Sequence, residues 1–338
     1  MNRPKNSKEY RSNIAETFAT ILEEDGLSWK KGWKSYDEAP YNGVTKAHYK
    51  GINAFWLSIL SFINGYNDPR WVTMVQIMDK NKKYHPSEKW HLKKGSTATY
   101  VEYWYQYDLI DKKALTWDQY HKALNDGRDK SEFRLSSRYT AVFNAHDVEG
   151  MPELISTKST IEIHQDELIK RLSENMGVEI LNDGGSRAYY SPRQDKIHLP
   201  VPSLFYSEYE YNSTALHELG HSTGHPSRLN RPQTALFGTE GYATEELVAE
   251  IISAMMGSSL HMEPTQQHID NHKAYVQSWI KQIRDKPETL VKAIKDAQAA
   301  VNYMDLKAGL ITEKEYKKSC ESVLEIKQPE QKKDCPTL

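Results

Sequence analysis

Residues 212–225, NSTALHELGHSTGH, constrain this chain more than any other stretch. They place His217, Glu218 and His221 in the arrangement HExxH. On a helix, residues four apart lie one turn above each other, so both imidazoles point the same way and can bind one metal ion. Glu218, beside the first histidine, then reaches a water in the open coordination position as a general base. The local sequence favours a helix. Asn212 or Ser213 is a candidate cap, Ala215, Leu216 and Leu219 give an apolar side, and Gly224 with Pro226 ends it. The spacing predicts a zinc hydrolase site. Its competitor is an amphipathic helix that carries two histidines by accident, so the availability of a third ligand is what separates them.

Residues 244–255, TEELVAEIISAM, predict a second helix with Leu247, Val248, Ile251, Ile252 and Met255 on one side. A buried acid in such a helix needs a charged or hydrogen-bonding partner, and a metal supplies one. Glu246 and Glu250 are four apart, so one can bind the metal while the other braces a histidine. Glu246 is assigned as the third ligand and Glu250 as the brace, with Glu245 in solvent. N-terminal acids favoured by the helix dipole explain Glu245 and Glu246 equally well, but Glu250 poorly. The longer pattern HExxHxxGxxH needs a third histidine at position 227, where this chain has Ser227.

The net charge of −2 hides an asymmetry. Residues 1–150 carry 23 Lys+Arg against 19 Asp+Glu, a net of +4, and the remainder 21 against 27, a net of −6. Seven of the eight tryptophans lie in the first part. The length allows two domains, each with its own core. Cys320 and Cys335 both fall in a polar C-terminal stretch and make no disulfide framework. No apolar run predicts a signal peptide or a membrane span, so the expected location is the cytoplasm.

Residues 6–24 predict an amphipathic helix with Ile14, Phe18, Ile21 and Leu22 inward. In residues 27–53, Trp29 and Trp33 alternate with Lys30, Lys31 and Lys34, and Lys46, Tyr49 and Lys50 follow. Arg70 and Trp71 form a second mixed cluster. Flat rings for bases and ammonium groups for phosphates are what single-stranded nucleic acid binding needs. Core tryptophans with solvating lysines are the ordinary alternative, and it is favoured for Trp56, Trp104 and Trp117. Residues 106–137 read as a polar excursion before a strand at 138–143.

Residues 151–160 read as a connection. A helix at 161–175 and strands at 178–181 and 187–199 precede the metal helix, and a strand beside such a helix commonly pairs with extended peptide. Helices at 265–284 and 286–306 follow, then a loosely held tail from about 312.

The chain resembles the ArdC-type antirestriction proteins of plasmids and mobile elements. The resemblance rests on WKKGW (29–33), PYNGVTKAHYKGIN (40–53), DPRWVTMVQ (68–76), YTAVFNAHDVEG (139–150), LHELGHSTGHPSRLNR (216–231) and YATEELVAEI (242–251). It covers about residues 8–306 and implies an N-terminal single-stranded-DNA-binding domain joined to a zincin-like metallopeptidase domain. With the connection at 151–160, the expected fold is α+β in two domains, 1–150 and 151–311, followed by the polar tail (312–338). The resemblance also implies protection of incoming DNA from host restriction. In the general zincin scheme, His217, His221 and Glu246 hold Zn2+, Glu218 is the base, and Tyr242 or His225 donates to the oxyanion. The substrate is then an unidentified protein or peptide. Other readings are a DNA-tethered protease that clears proteins from DNA, a non-catalytic single-strand coat, and a binding module without metal.

Overall fold

The computed structural model describes residues 3–26, 39–82, 89–154, 165–233, 239–259 and 273–324. The chain divides into two compact units that do not follow its linear order. One comprises residues 1–13, 41–47 and 68–154, and the other 14–40, 48–67 and 155–338. Helix α1 (Ser7–Asp25) gives its first turns to the first unit and the rest to the second. Helix α2 (Gly51–Ile63) belongs to the second.

The first unit is built on strands β1 (Tyr41–Asn42), β2 (Arg70–Thr73), β3 (His91–Leu92), β4 (Thr99–Asp108), β5 (Lys113–Leu115), β6 (Phe133–Asn144) and β7 (Val148–Glu149). Five of them form a sheet in the order β1-β2-β6-β4-β5, with only β1 and β2 parallel. The β4–β6 ladder is its backbone, running from Thr99 opposite Val142 to Asp108 opposite Phe133. Residues 106–137 are therefore no excursion. Their start (106–108) and their end (133–137) are strand, and between them lie β5 and helix α4 (Trp117–Asn125), which starts on a Thr116–Gln119 capping box. The sequence reading missed this because charged turn residues outnumber apolar ones over that window. Helix α3 (Met74–Asn81) has the same kind of cap, Thr73 with Gln76. Val72, Ile77, Trp90 and Val148 form a buried cluster beneath it. Asp108 is fully buried, where Arg128 grips it at 2.6 and 2.9 Å and the Ile110 and Asp111 amides donate to it. A buried carboxylate so fully satisfied specifies how this end of the ladder closes.

The second unit contains α5 (Gln165–Met176), strands β8 (Glu179–Leu181), β9 (Tyr189–Ser191) and β10 (Lys196–His198), then α6 (Glu208–Ser222), α7 (Glu240–Ser259), α8 (Lys273–Asp285), α9 (Glu288–Ala308) and α10 (Glu313–Leu324). The expected single strand at 187–199 is two strands. A turn over 191–195 splits it, with the Asp195 amide bonded to the Ser191 carbonyl and Asp195 at φ +53. Strand β10 pairs in parallel with β8 and antiparallel with β9, which leaves β9 at the edge.

Helix α6 begins at Glu208, a full turn before the expected cap. Ser207 caps it through the Glu210 amide at 3.2 Å, and Asn212 and Ser213 are buried inside it. Its Leu216 and Leu219 and the Leu247, Ile251 and Ile252 of α7 are all within 1% of full burial, each contributing roughly 1.5–3 kcal/mol. Trp279 of α8 ties down α7 through an indole bond to the Ala243 carbonyl. The region from 312 is not a loose tail throughout. Helix α10 forms there, and Tyr316 is 2% exposed.

Candidate metal centre

Helix α6 presents His217, Glu218 and His221, and α7 presents Glu245, Glu246 and Glu250. The two helices approach closely because Gly220 faces α7. A Cβ there would stand 3.3 Å from the Ile252 side chain. The Nε2 atoms of His217 and His221 are 3.1 Å apart. Glu246 reaches them at 3.4 Å (Oε2 to His217) and 3.6 Å (Oε1 to His221). Three donors on a tetrahedral ion with bonds of about 2.0–2.1 Å lie roughly 3.3 Å from each other. The observed triangle fits that shape. The residues present therefore suit a divalent cation, with His217, His221 and Glu246 as its ligands.

The surrounding charges favour a cation as well. Burial pushes the His217 imidazole down, but the carboxylates of Glu246 and Glu250 outweigh it and lift it well above the ordinary histidine range. Burial pushes Glu246 up, yet the His217 bond, the two imidazoles and the Tyr242 hydroxyl hold it at about 2. Glu250, fully buried, lies 3.3 Å from His217 Nδ1 and so braces the ring whose other nitrogen faces the metal position.

Glu245 is not in solvent. Its side chain is 14% exposed, bonds His221 Nδ1 at 3.3 Å, and receives Arg231 at 2.7 and 3.2 Å. Burial pushes its carboxyl up, and His221 and Arg231 bring it down to about 2. Arg231 also donates to the Gly220 carbonyl and the Thr223 hydroxyl, so it ties the end of α6 to the start of α7. Sequence reasoning missed this arginine because it follows the helix in a loop. Three glutamates on one apolar helix were the available signal, since they need a basic partner as well as a metal.

Glu218 accepts the Tyr190 amide of edge strand β9 at 2.8 Å and is 7% exposed. The Tyr190 hydroxyl in turn bonds Asp195 at 2.7 Å. Arg228 donates to Asp195, to Tyr190 and to the Ser222 carbonyl at the end of α6. This network holds the base against the strand, and none of its members was singled out from sequence. A cleft of about 420 Å³ opens onto the ligands, lined also by Tyr189, Tyr190, Gln233 and Tyr242. His225 lies elsewhere, bonded to Ser227 at 2.7 Å.

The residues assigned to DNA are placed differently. Trp29, Lys30, Lys31 and Trp33 lie outside the described residues. Lys46 and Lys50 are exposed and Tyr49 is half-buried. Trp71 is 2% exposed, and Arg70 is 7% exposed and locked on Asp68 at 2.6 Å, so both serve the fold of the sheet. Trp56 is core at 1% exposure, whereas Trp104 and Trp117 are half-buried.

Fold and donor set define the class: a zincin-like metal centre on paired helices. Residues 167–296 match the family model of the zincin-like metallopeptidases, and residues 8–143 match that of the N-terminal domain of the anti-restriction factor ArdC. The Mn(II)-bound crystal structure of antirestriction ArdC from plasmid R388 is similar with a TM-score of 0.66 at 26% identity, covering 89% of this chain and 99% of that one. Its metal-free structure gives 0.65 at 25%, covering 89% and 98%. Two Escherichia coli proteins named DNA primase TraC are 34% identical over 308 residues. The match takes in 88% of this chain but only 27% and 20% of theirs, so the chain spans about a quarter or less of those relatives. The protein y4eC of Sinorhizobium fredii is 26% identical over 306 residues, 89% of this chain and 93% of that protein. This chain belongs to the ArdC type of two-domain proteins. Among the described residues, no helix is long and apolar enough to cross a membrane.

Proposed function

We propose that the chain is an antirestriction protein of a mobile element that binds single-stranded DNA through its ArdC N-terminal domain and hydrolyses peptide bonds at the metal centre. One observation carries the enzymatic part: the ligand triangle and the clamped Glu218 carboxylate share one cleft. A divalent cation bound there supplies Lewis acidity, polarising a carbonyl and making water nucleophilic near neutral pH. A His2Glu donor set favours zinc, and the related R388 protein binds Mn(II). Glu218 takes a proton from the attacking water and delivers it to the leaving amine. Tyr242, which lines the cleft, is the donor to the oxyanion at the peptide carbonyl once its single hydroxyl proton turns from Glu246, since His225 is not part of that lining. The edge position of β9 suits an extended peptide lying alongside it.

The test is cleavage of an unfolded protein by the full chain loaded with Zn(II) or Mn(II), with and without single-stranded DNA, against Glu218→Gln. Cleavage by the wild type and none by a variant that still holds metal supports the reading. Equal cleavage by both removes Glu218 as base. No cleavage by the wild type under any condition makes the protein a single-strand coat whose metal is structural.

A further inference from the structure

The β4–β6 ladder carries a pattern that neither the metal centre nor the positions 29–50 use. Its register sets Tyr103 opposite Arg138, Tyr105 opposite Ser136 and Tyr107 opposite Arg134. Opposed residues of an antiparallel pair point to the same face, and residues two apart on a strand share it. Three tyrosines and two arginines therefore make one stripe. Tyr103 is 42% exposed, Arg134 and Arg138 are exposed, and Tyr105 and Tyr107 are half-buried. Arg138 lies over the Tyr103 ring at 4.8 Å and beside Tyr105 at 5.9 Å, and Arg134 over Tyr107 at 5.6 Å. The acids of the same segment, Glu102 and Asp108, alternate onto the opposite face. They are buried there, Glu102 bonded to Ser7, Tyr139 and Trp104, and Asp108 to Arg128.

We propose that this stripe is a stacking platform for single-stranded DNA. The proposal rests on the single-strand reading of the N-terminal domain given above and adds where bases and phosphates sit. Rings two residues apart on a strand are about 6.8 Å apart. That is twice the ~3.4 Å advance per nucleotide of a duplex strand, so successive rings receive bases that have left the stack. Duplex bases are closed to such a face. Guanidinium planes extend the stacking surface and meet phosphates, and every base has a π-face, so the platform is tolerant of sequence. Surfaces that serve solubility alone intersperse both signs of charge. Along these two strands the signs are separated, the arginines lying with the rings and the acids behind the sheet, where Arg128 and Arg11 pair with them.

Anisotropy titrations of the full chain with a labelled oligothymidine, over a range of salt, test the platform. Tyr103→Leu/Tyr105→Leu is expected to weaken binding about ten-fold or more, and Tyr103→Phe/Tyr105→Phe to bind like the wild type. Arg134→Ala/Arg138→Ala is expected to flatten the slope of log affinity against log salt by about 1.4, since each phosphate contact with a single strand contributes ~0.7. Each variant counts only with the melting transition of the wild type. A second readout needs no variant: photo-crosslinking of the wild type to an oligonucleotide carrying 5-iododeoxyuridine, with the site mapped by mass spectrometry. Crosslinks on Tyr103, Tyr105 or Tyr107 support the platform. Tight wild-type binding with crosslinks only elsewhere and no variant affected overturns it and leaves the single-strand reading intact. A wild type that does not bind single strands at all removes that reading, and the platform with it.

Discussion

At the scale of single residues, the two braces of the metal ligands carry the first prediction. Glu250 and Glu245 each lie 3.3 Å from the Nδ1 of one ligand histidine. Glu250→Ala or Glu245→Ala should weaken metal binding about 10–100-fold in a chelator competition. Glu246→Ala should cost more, and the opposite order would transfer the ligand role to Glu250. The triangle itself was legible because HExxH and a glutamate on an apolar helix each demand a partner of opposite charge. The burial of Glu245 was not, because it depends on Arg231 folding back from a loop whose path no local pattern encodes. Asp305 on α9 carries a second prediction. It is half-buried, and burial pushes its carboxyl up to about 7. Unfolded, it titrates near 4, so between about pH 4 and 7 the folded state holds a proton that the unfolded state has lost. Stability from this group is full below that window and falls as pH rises through it. Asp305→Asn should abolish this slope and gain on the order of 1–2 kcal/mol at pH 8, allowing for partial solvent access, with little change at pH 4. Urea unfolding of both proteins at the two pH values measures it, and equal differences at both would refute the burial cause.

Elements explain why the ligands meet at all. The Gly220 of HELGH is where α6 touches Ile252 of α7. Gly220→Val adds methyl groups to a contact that a Cβ alone already fills to 3.3 Å. Overpacking of this kind costs about 1–3 kcal/mol, and here it pushes Glu246 away from the two histidines. Metal affinity should fall ten-fold or more with every ligand unchanged, and Gly220→Ala should fall between. Unaltered affinity in Gly220→Val would mean the helix spacing is not what sets the site. Helices α1, α6, α7 and α9 were readable because a 3.6-residue apolar period persists over several turns. The sequence reading runs β9 and β10 together, although Tyr190 and Ile197 are seven residues apart and would fall on opposite faces of one strand. Pro192 and Asp195 were the missed break, and that break creates the edge strand whose Tyr190 amide holds Glu218.

On the scale of the whole molecule, a linear boundary near residue 150 was the natural inference from charge and tryptophan content, but the compact units interleave. Residues 14–40 and 48–67 belong with the unit that carries the candidate metal centre. Within it, Phe18 of α1 meets Phe55 of α2 edge-on at 5.0 Å, α2 packs on α9, and Arg284 of α8 grips Glu16 and Glu23 of α1 at 2.6–3.1 Å. No sequence pattern could announce this, because an apolar helix face reveals that it is covered and not by what. The side chains of Ile14, Phe18, Leu22, Phe55, Trp56, Leu57 and Ile59 are all at most 2% exposed. At roughly 1.5–3 kcal/mol each, their burial is comparable with the ~5–15 kcal/mol by which a typical domain is stable. A fragment of residues 151–338 should therefore lack a cooperative melting transition and be digested quickly by protease, despite holding every metal ligand. Adding residues 14–67 through a flexible linker should restore both the transition and metal binding. A 151–338 fragment that melts like the full chain would show that α1 and α2 are dispensable, and that the boundary near 150 separates two self-sufficient domains.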